Sequence, residues 1–108
     1  MTEILLSERD QGRVLEARCG DELVLRLEEN LTTGYSWALE STDGVVELLE
    51  STYTENLGKA MGRGGQRVIR LQVKSPGSQD IYLSLRRPWE PQGRALRLLR
   101  VTVRVPAA

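Results

Sequence analysis

Histidine is missing from this 108-residue chain. Its absence excludes Ser-His-Asp and Cys-His catalysis from within the chain, and histidine-based zinc sites with them. Cysteine is nearly as scarce. Cys19 stands alone, so no intramolecular disulfide forms and the core must hold the fold. With no thiolate-stabilising histidine to partner it, Cys19 reads as a partly buried structural residue rather than a nucleophile. No apolar run approaches the length needed to span a bilayer. The N-terminus, MTEILLSERDQGR, has no basic segment followed by an apolar stretch and does not read as a signal peptide. A cytoplasmic protein is expected as the sequence is written, and a periplasmic or secreted one if a leader has been removed. There is no sustained 3.6-residue period, no internal repeat and no low-complexity linker. No metal or cofactor is implied.

What remains is an ordinary soluble balance, 40% hydrophobic and 28% charged, sized for one domain over residues 1–108. The net charge is zero, yet the halves differ. Residues 1–54 carry 4 basic and 12 acidic side chains, and residues 55–108 carry 11 basic and 3 acidic. A basic patch for an acidic partner is one reading. The better one is that strands from the two halves pair and set opposite charges side by side.

The dominant period is two. Leu23, Leu25 and Leu27 alternate with Val24, Arg26 and Glu28. Tyr35, Trp37 and Leu39 alternate with Ser36, Ala38 and Glu40. The same alternation runs through Ile69–Val73, Ile81–Leu85 and Val101–Val105. Such segments are half-buried strands. Leu96 and Leu98 share one phase while Leu99 and Val101 take the other, a slip that predicts a β-bulge in the last strand. Weaker strands are expected at 3–7, 13–18 and 45–54, with VVELLEST left open as a helical turn. Seven to eight short strands in this length predict an all-β, immunoglobulin-like antiparallel β-sandwich, without the Cys…Trp…Cys framework.

Three connections are unlike plain turns. In NLTTGYSW, Asn30 suits an Asx-turn and Gly34 supplies positive φ, with the hydroxyls of Thr32 and Thr33 at the tip. Asn30-Leu31-Thr32 also fits the N-glycosylation pattern. In KAMGRGGQ, Gly62, Gly64 and Gly65 surround Arg63. Three glycines so close disfavour a rigid loop unless positive φ or a close backbone approach requires them. A phosphate cradle would need a GK[ST] ending and a following helix, and neither is present. In RRPWEPQG, Pro88 stiffens the turn and Trp89 lies in a polar, proline-framed loop. Tryptophan and arginine there suit a binding hot spot, and a tryptophan folded back over the end of the sandwich fits the pattern equally well. With strands counted as 3–18 (split), 22–28, 35–41, 45–54, 66–74, 79–86 and 94–105, the three odd loops emerge at the same end. That segregation marks this end as a contact surface.

The three motifs, in this order, resemble those of the chagasin family, inhibitors of papain-like cysteine peptidases. The family signatures are NPTTG[YF]xW, GxGG and RPW. Here they read Asn30-Leu31-Thr32-Thr33-Gly34-Tyr35-Ser36-Trp37, Gly62-Arg63-Gly64-Gly65 and Arg87-Pro88-Trp89. Leu31 departs from the family proline, which removes a constraint on the first loop and creates the glycosylation pattern. The resemblance implies an immunoglobulin-like fold and no enzymatic activity of its own. Its implied partner is a papain-like cysteine protease of papain or cathepsin L type, inhibited reversibly and competitively. It implies no nucleic acid, membrane or cofactor. A monomer is expected, since nothing marks an obligate dimer. The implied protease-binding residues are Asn30, Leu31, Thr32, Thr33, Gly34, Gly62, Arg63, Gly64, Gly65, Arg87, Pro88 and Trp89. Thr32 and Thr33 would sit over the enzyme's catalytic residues, the glycine loop would run along the substrate groove, and Trp89 would pack on aromatic residues at the rim. The alternative is a non-inhibitory adhesion or ligand-binding module using the same loop end.

Overall fold

The computed structural model describes residues 2–40, 44–55, 64–90 and 95–107. Alternation of apolar and polar residues lets a strand bury one face and solvate the other, and eight segments form strands. They are β1 (Glu3–Leu6), β2 (Val14–Glu16), β3 (Glu22–Glu29), β4 (Ser36–Leu39), β5 (Val46–Glu55), β6 (Gly65–Val73), β7 (Gly77–Arg86) and β8 (Arg97–Val105). Two short 3-10 turns, Glu8–Asp10 and Leu31–Thr33, are the only helical turns among the described residues. Among the described residues, no helix is long and apolar enough to cross a membrane.

Two four-stranded sheets result, in the orders β1-β3-β6-β5 and β2-β8-β7-β4. Leu23, Leu25 and Leu27 of β3 and Ile69 and Leu71 of β6 face Trp37, Ile81, Leu83, Leu99, Val101 and Val103 of the other sheet, all buried in one cluster. The sheets meet through side chains of one phase from each strand, as in aligned sandwiches.

The first strand is split between the sheets. β1 runs parallel to β3, and β2 runs parallel to β8. The other ladders are antiparallel. The switch is made at the first 3-10 turn. There the Ser7 hydroxyl accepts from the Arg9 N–H at 3.3 Å, and the Asp10 carboxylate accepts from the Ser7 N–H at 2.8 Å. This reciprocal cap satisfies the donors that a turn between two sheets would otherwise leave bare.

The charge asymmetry is resolved by pairing. Arg70 of β6 lies across the outer face of its sheet and meets Glu3 of β1 at 3.1 Å, Glu22 of β3 at 3.3 Å and Glu50 of β5 at 3.7 Å. One guanidinium thus ties all four strands. Under this layer the outward-phase Val24 is buried to 1%, since long arginine stems cover apolar surface. Arg67–Glu29, Arg86–Glu40 and Arg97–Glu8 also join the basic half to the acidic half.

The strand expected at 45–54 is β5: Val46–Thr52 of VVELLEST is strand, not helical turn, in an edge strand whose positions Leu48 and Leu49 are exposed. Two expectations need correction. The predicted slip inside the last strand does not occur, because β8 keeps one register against β7 from Arg97 to Val105. Leu98 simply points outward, and the irregularity lies just before it. Leu96 N–H donates to the Leu85 carbonyl at 2.7 Å while Arg97 is the residue paired with Leu85. A register shift occurs instead in β5, between Leu48 and Glu50, where a bulge twists an edge strand away from further pairing. Cys19, expected to be partly buried, is exposed. It sits in a tight turn whose interior is taken by Asp21. That carboxylate accepts from the Thr2 N–H at 3.0 Å and the Arg18 N–H at 2.9 Å, so the intervening side chain is turned outward.

Candidate functional site

The ends of β3, β5 and β7 and the starts of β4, β6 and β8 place the unusual loops at one end of the sandwich. The first loop is tightly folded on itself. The Asn30 side-chain carbonyl accepts from the Thr32 N–H at 3.0 Å and the Thr32 hydroxyl at 2.7 Å. The Thr33 N–H and hydroxyl both donate to the Asn30 carbonyl, at 3.2 and 2.8 Å. The Tyr35 N–H then donates to the Thr33 hydroxyl at 3.3 Å. This is the predicted Asx-turn extended into a 3-10 turn, and Gly34 ends it with φ +82°, a conformation that favours glycine. Thr32 and Thr33 are exposed at the tip.

The third loop grips the first. Arg87 Nε donates to the Thr33 carbonyl at 3.1 Å, and its guanidinium lies 4.5 Å from the centre of the Tyr35 ring. Glu90 steadies the same guanidinium at 3.9 Å. Trp89 lies with its six-membered ring over Gly34. A Cβ built on Gly34 would stand 2.5 Å from Trp89 Cη2 and 3.1 Å from Cζ2. Only glycine admits the indole there. Trp89 is nevertheless 71% exposed, which decides between the two readings of its loop. It does not cap the core: it is held by one edge and offers the rest to solvent.

The glycine loop is described only at its return. Gly62 and Arg63 lie outside the described residues. Gly64 and Gly65 line an open groove of about 420 Å³ together with Asn30, Thr33, Tyr35 and Leu96. A side chain at Gly65 would collide with the Thr54 carbonyl and the Tyr53 hydroxyl, the latter at 2.6 Å. Close approach of another strand is therefore the reason for glycine at this position. A second groove, of about 450 Å³, lies at the opposite end beside Thr2, Cys19 and Pro106. Its one buried carboxylate, Asp21, is already committed to backbone N–H groups.

The candidate residues that the structure describes are thus gathered at one end. Two residues beneath them were not foreseen from the sequence, Glu29 and Arg67. They continue the inward phase of Leu23-Leu25-Leu27 and of Val73-Leu71-Ile69, and form a bonded pair at 2.7 Å with the glutamate side chain fully buried. The signal was the period itself, which runs on beyond its last apolar residue.

Residues 16–104 match the profile described as chagasin family peptidase inhibitor I42. The chain belongs to the chagasin family. Among its relatives in this family is amoebiasin-1 of Entamoeba histolytica, 30% identical over 86 residues, a match covering 80% of this chain and 84% of that protein. The crystal structure of the cysteine protease inhibitor EhICP2 from Entamoeba histolytica superposes with a TM-score of 0.89 at 26% identity, covering 96% of both chains. The structure of PbICP-C in complex with falcipain-2 shares the fold, with a TM-score of 0.60 at 18% identity, covering 97% of this chain and 99% of that one. The chagasin-family sandwich expected from periodicity and motifs is therefore the one found.

Proposed function

We propose that this chagasin-family inhibitor blocks papain-like cysteine proteases reversibly and competitively, using the loop end of the sandwich as a plug for the active-site cleft. The observation that carries this reading is the fixed yet exposed Trp89. An indole seated on Gly34 and left 71% exposed is an anchor prepared for a partner, since tryptophan and arginine dominate interface energetics. Family membership and the falcipain-2 complex of the related fold indicate the class of partner.

The first loop supplies a physical reason for inhibition without cleavage. A protease attacks a carbonyl presented in an extended segment. Residues Leu31–Thr33 are instead wound into a 3-10 turn closed by Asn30 and Thr33 hydrogen bonds. Its tip offers hydroxyls rather than a carbonyl in attack geometry. Because the turn is already formed and clamped by Arg87, little ordering entropy is lost on binding. Gly64 and Gly65 leave bare backbone beside it for strand-like contact with the enzyme. Asn30–Gly34, Gly62–Gly65 and Arg87–Trp89 are assigned to this contact, which should bury about 800 Å² on each partner. On this reading the chain supplies no catalytic group, consistent with its lack of histidine.

The test is a titration of papain and of a cathepsin L-type enzyme against a fluorogenic substrate, with trypsin as control. Inhibition of both cysteine proteases and none of trypsin is expected. No inhibition of either at high micromolar concentration would contradict the proposal. A non-inhibitory module binding an acidic partner would use the Arg-rich half. Four of its arginines, Arg67, Arg70, Arg86 and Arg97, are drawn into ion pairs with Glu3, Glu8, Glu22, Glu29, Glu40 and Glu50, which reduces the charge left for such a partner.

A further inference from the structure

We infer that Glu29 and Arg67 are positioning residues that fix the spacing of the inhibitory loops; the inference rests on the proposed function and deepens it. Glu29 is the last residue of β3, directly before the first loop. Its Oε1 accepts the backbone N–H of Trp37 at 2.7 Å, directly after that loop. One carboxylate thus binds both stems of the first loop, and in doing so joins β3 of one sheet to β4 of the other. Trp37 returns the contact, its indole N–H donating to the Glu28 carbonyl at 2.9 Å.

Arg67 carries the clasp to the second loop. Its Nε lies 3.2 and 3.3 Å from the two Glu29 oxygens, and its Nη2 donates to Oε2 at 2.7 Å. Arg67 sits two residues into β6, at the return of the glycine loop. It also lies 5.8 Å from the centre of the Tyr53 ring and reaches the Ser51 hydroxyl at 3.4 Å, both on β5, the strand that leads into that loop. Glu29 is itself the register partner of Gly65. Trp37 is the register partner of Leu85, two residues before Arg87. The stems of the first two loops therefore meet at one ion pair, and Trp37 carries the contact on to the third through its ladder with Leu85.

Stability does not explain this choice. A buried ion pair loses much of its attraction to desolvation, and apolar residues of similar volume often serve stability as well or better. Leucine or valine would suit the inward phase of both strands, although at 29 it would leave the Trp37 N–H without its acceptor. What an apolar pair lacks is direction. The carboxylate has both oxygens bonded to named donors on two strands, and the guanidinium fork is planar and rigid. That geometry fixes distances between loop stems, which apolar packing leaves adaptable.

The decisive variant is the double substitution Glu29→Leu/Arg67→Leu, with Glu29→Gln beside it. The readouts are the thermal midpoint, the inhibition constant against papain well below that midpoint, and amide exchange at Trp37 and Gly65. The expected result is a double variant that still melts in one cooperative transition, several degrees below the parent because the Trp37 N–H loses its acceptor, inhibits at least tenfold more weakly, and exchanges faster at those two stem amides than at core amides such as Leu71. A folded variant that inhibits within twofold of the parent, with unchanged stem exchange, would overturn the inference. Should the double variant fail to fold, Glu29→Gln decides by the same readouts. Should the parent fail to inhibit papain, the proposed function falls, and stem exchange alone then supports or overturns the clasp.

Discussion

At the scale of single residues, the site is made by side chains that hold one another rather than by any unusual group. Trp89 is the sharpest case. Trp89→Ala should weaken protease inhibition by about 2 kcal/mol, roughly thirtyfold, and leave the melting transition unchanged, because the indole covers little of the core. A large drop in the midpoint would make it a structural cap. Gly34 is its counterpart. Gly34→Ala places a side chain at φ +82° and into the indole, so it should cost about 1–3 kcal/mol of stability and weaken inhibition by displacing Trp89. Denaturant melts and inhibition constants measured on the same protein check both. Much of this was legible in the sequence. Asn30 and Gly34 announced an Asx-turn and a positive φ, and Trp89 stood out by its polar, proline-framed setting. The exposure of Trp89 was not legible, because a loop tryptophan folds in or out according to what lies beneath it. Here Gly34 lies beneath it, brought there by another loop. Glu29 and Arg67 escaped notice for a related reason: a charge in the inward phase at a strand end looks like the strand's exit until its partner is known.

At the scale of elements, the clearest device is the turn that carries the chain into β3. Asp21 is buried and accepts two backbone N–H groups, one from Arg18 in its own turn and one from Thr2 ahead of β1. The hydrogen bond from Arg18 contributes most, and with that from Thr2 it holds the Asp21 carboxyl below the usual carboxylate range against the opposing effect of burial. A carboxyl with a lowered folded-state pKa stabilises the fold above its unfolded value, about 3.9. That stabilisation is lost as pH falls through the lower folded value. Asp21→Asn should therefore be less stable than the parent near neutral pH, and the gap should close below about pH 4. Denaturant melts from pH 7 to pH 2.5 measure this, and a constant gap would mean that charge plays no part. The parallel placement of β1 and β2 was not legible from period two, which shows that a segment is a strand and not which sheet it joins. The Ser7–Asp10 cap decides that by turning the chain across the sandwich.

At the scale of the whole molecule, two facing phases of leucine, isoleucine and valine make the core. Leu71 is fully buried at its centre. Leu71→Ala should cost about 2–5 kcal/mol in what is expected to be a single cooperative transition. Here the sequence was most informative, since five alternating segments and the turns between them were enough to place the sandwich. The charge asymmetry of the halves was legible as well, and strand pairing is its physical resolution. The chain should accordingly pass through a heparin column near physiological salt; strong retention that salt releases would reveal a basic surface that pairing had not neutralised. The central claim is that the loop end occupies the protease cleft. It is tested most directly by comparing binding to free papain with binding to papain whose active-site cysteine carries a bulky covalent peptide-like blocker. The protein should bind the free enzyme and lose that binding to the blocked one. Equal binding to both would place the contact outside the cleft and contradict the claim.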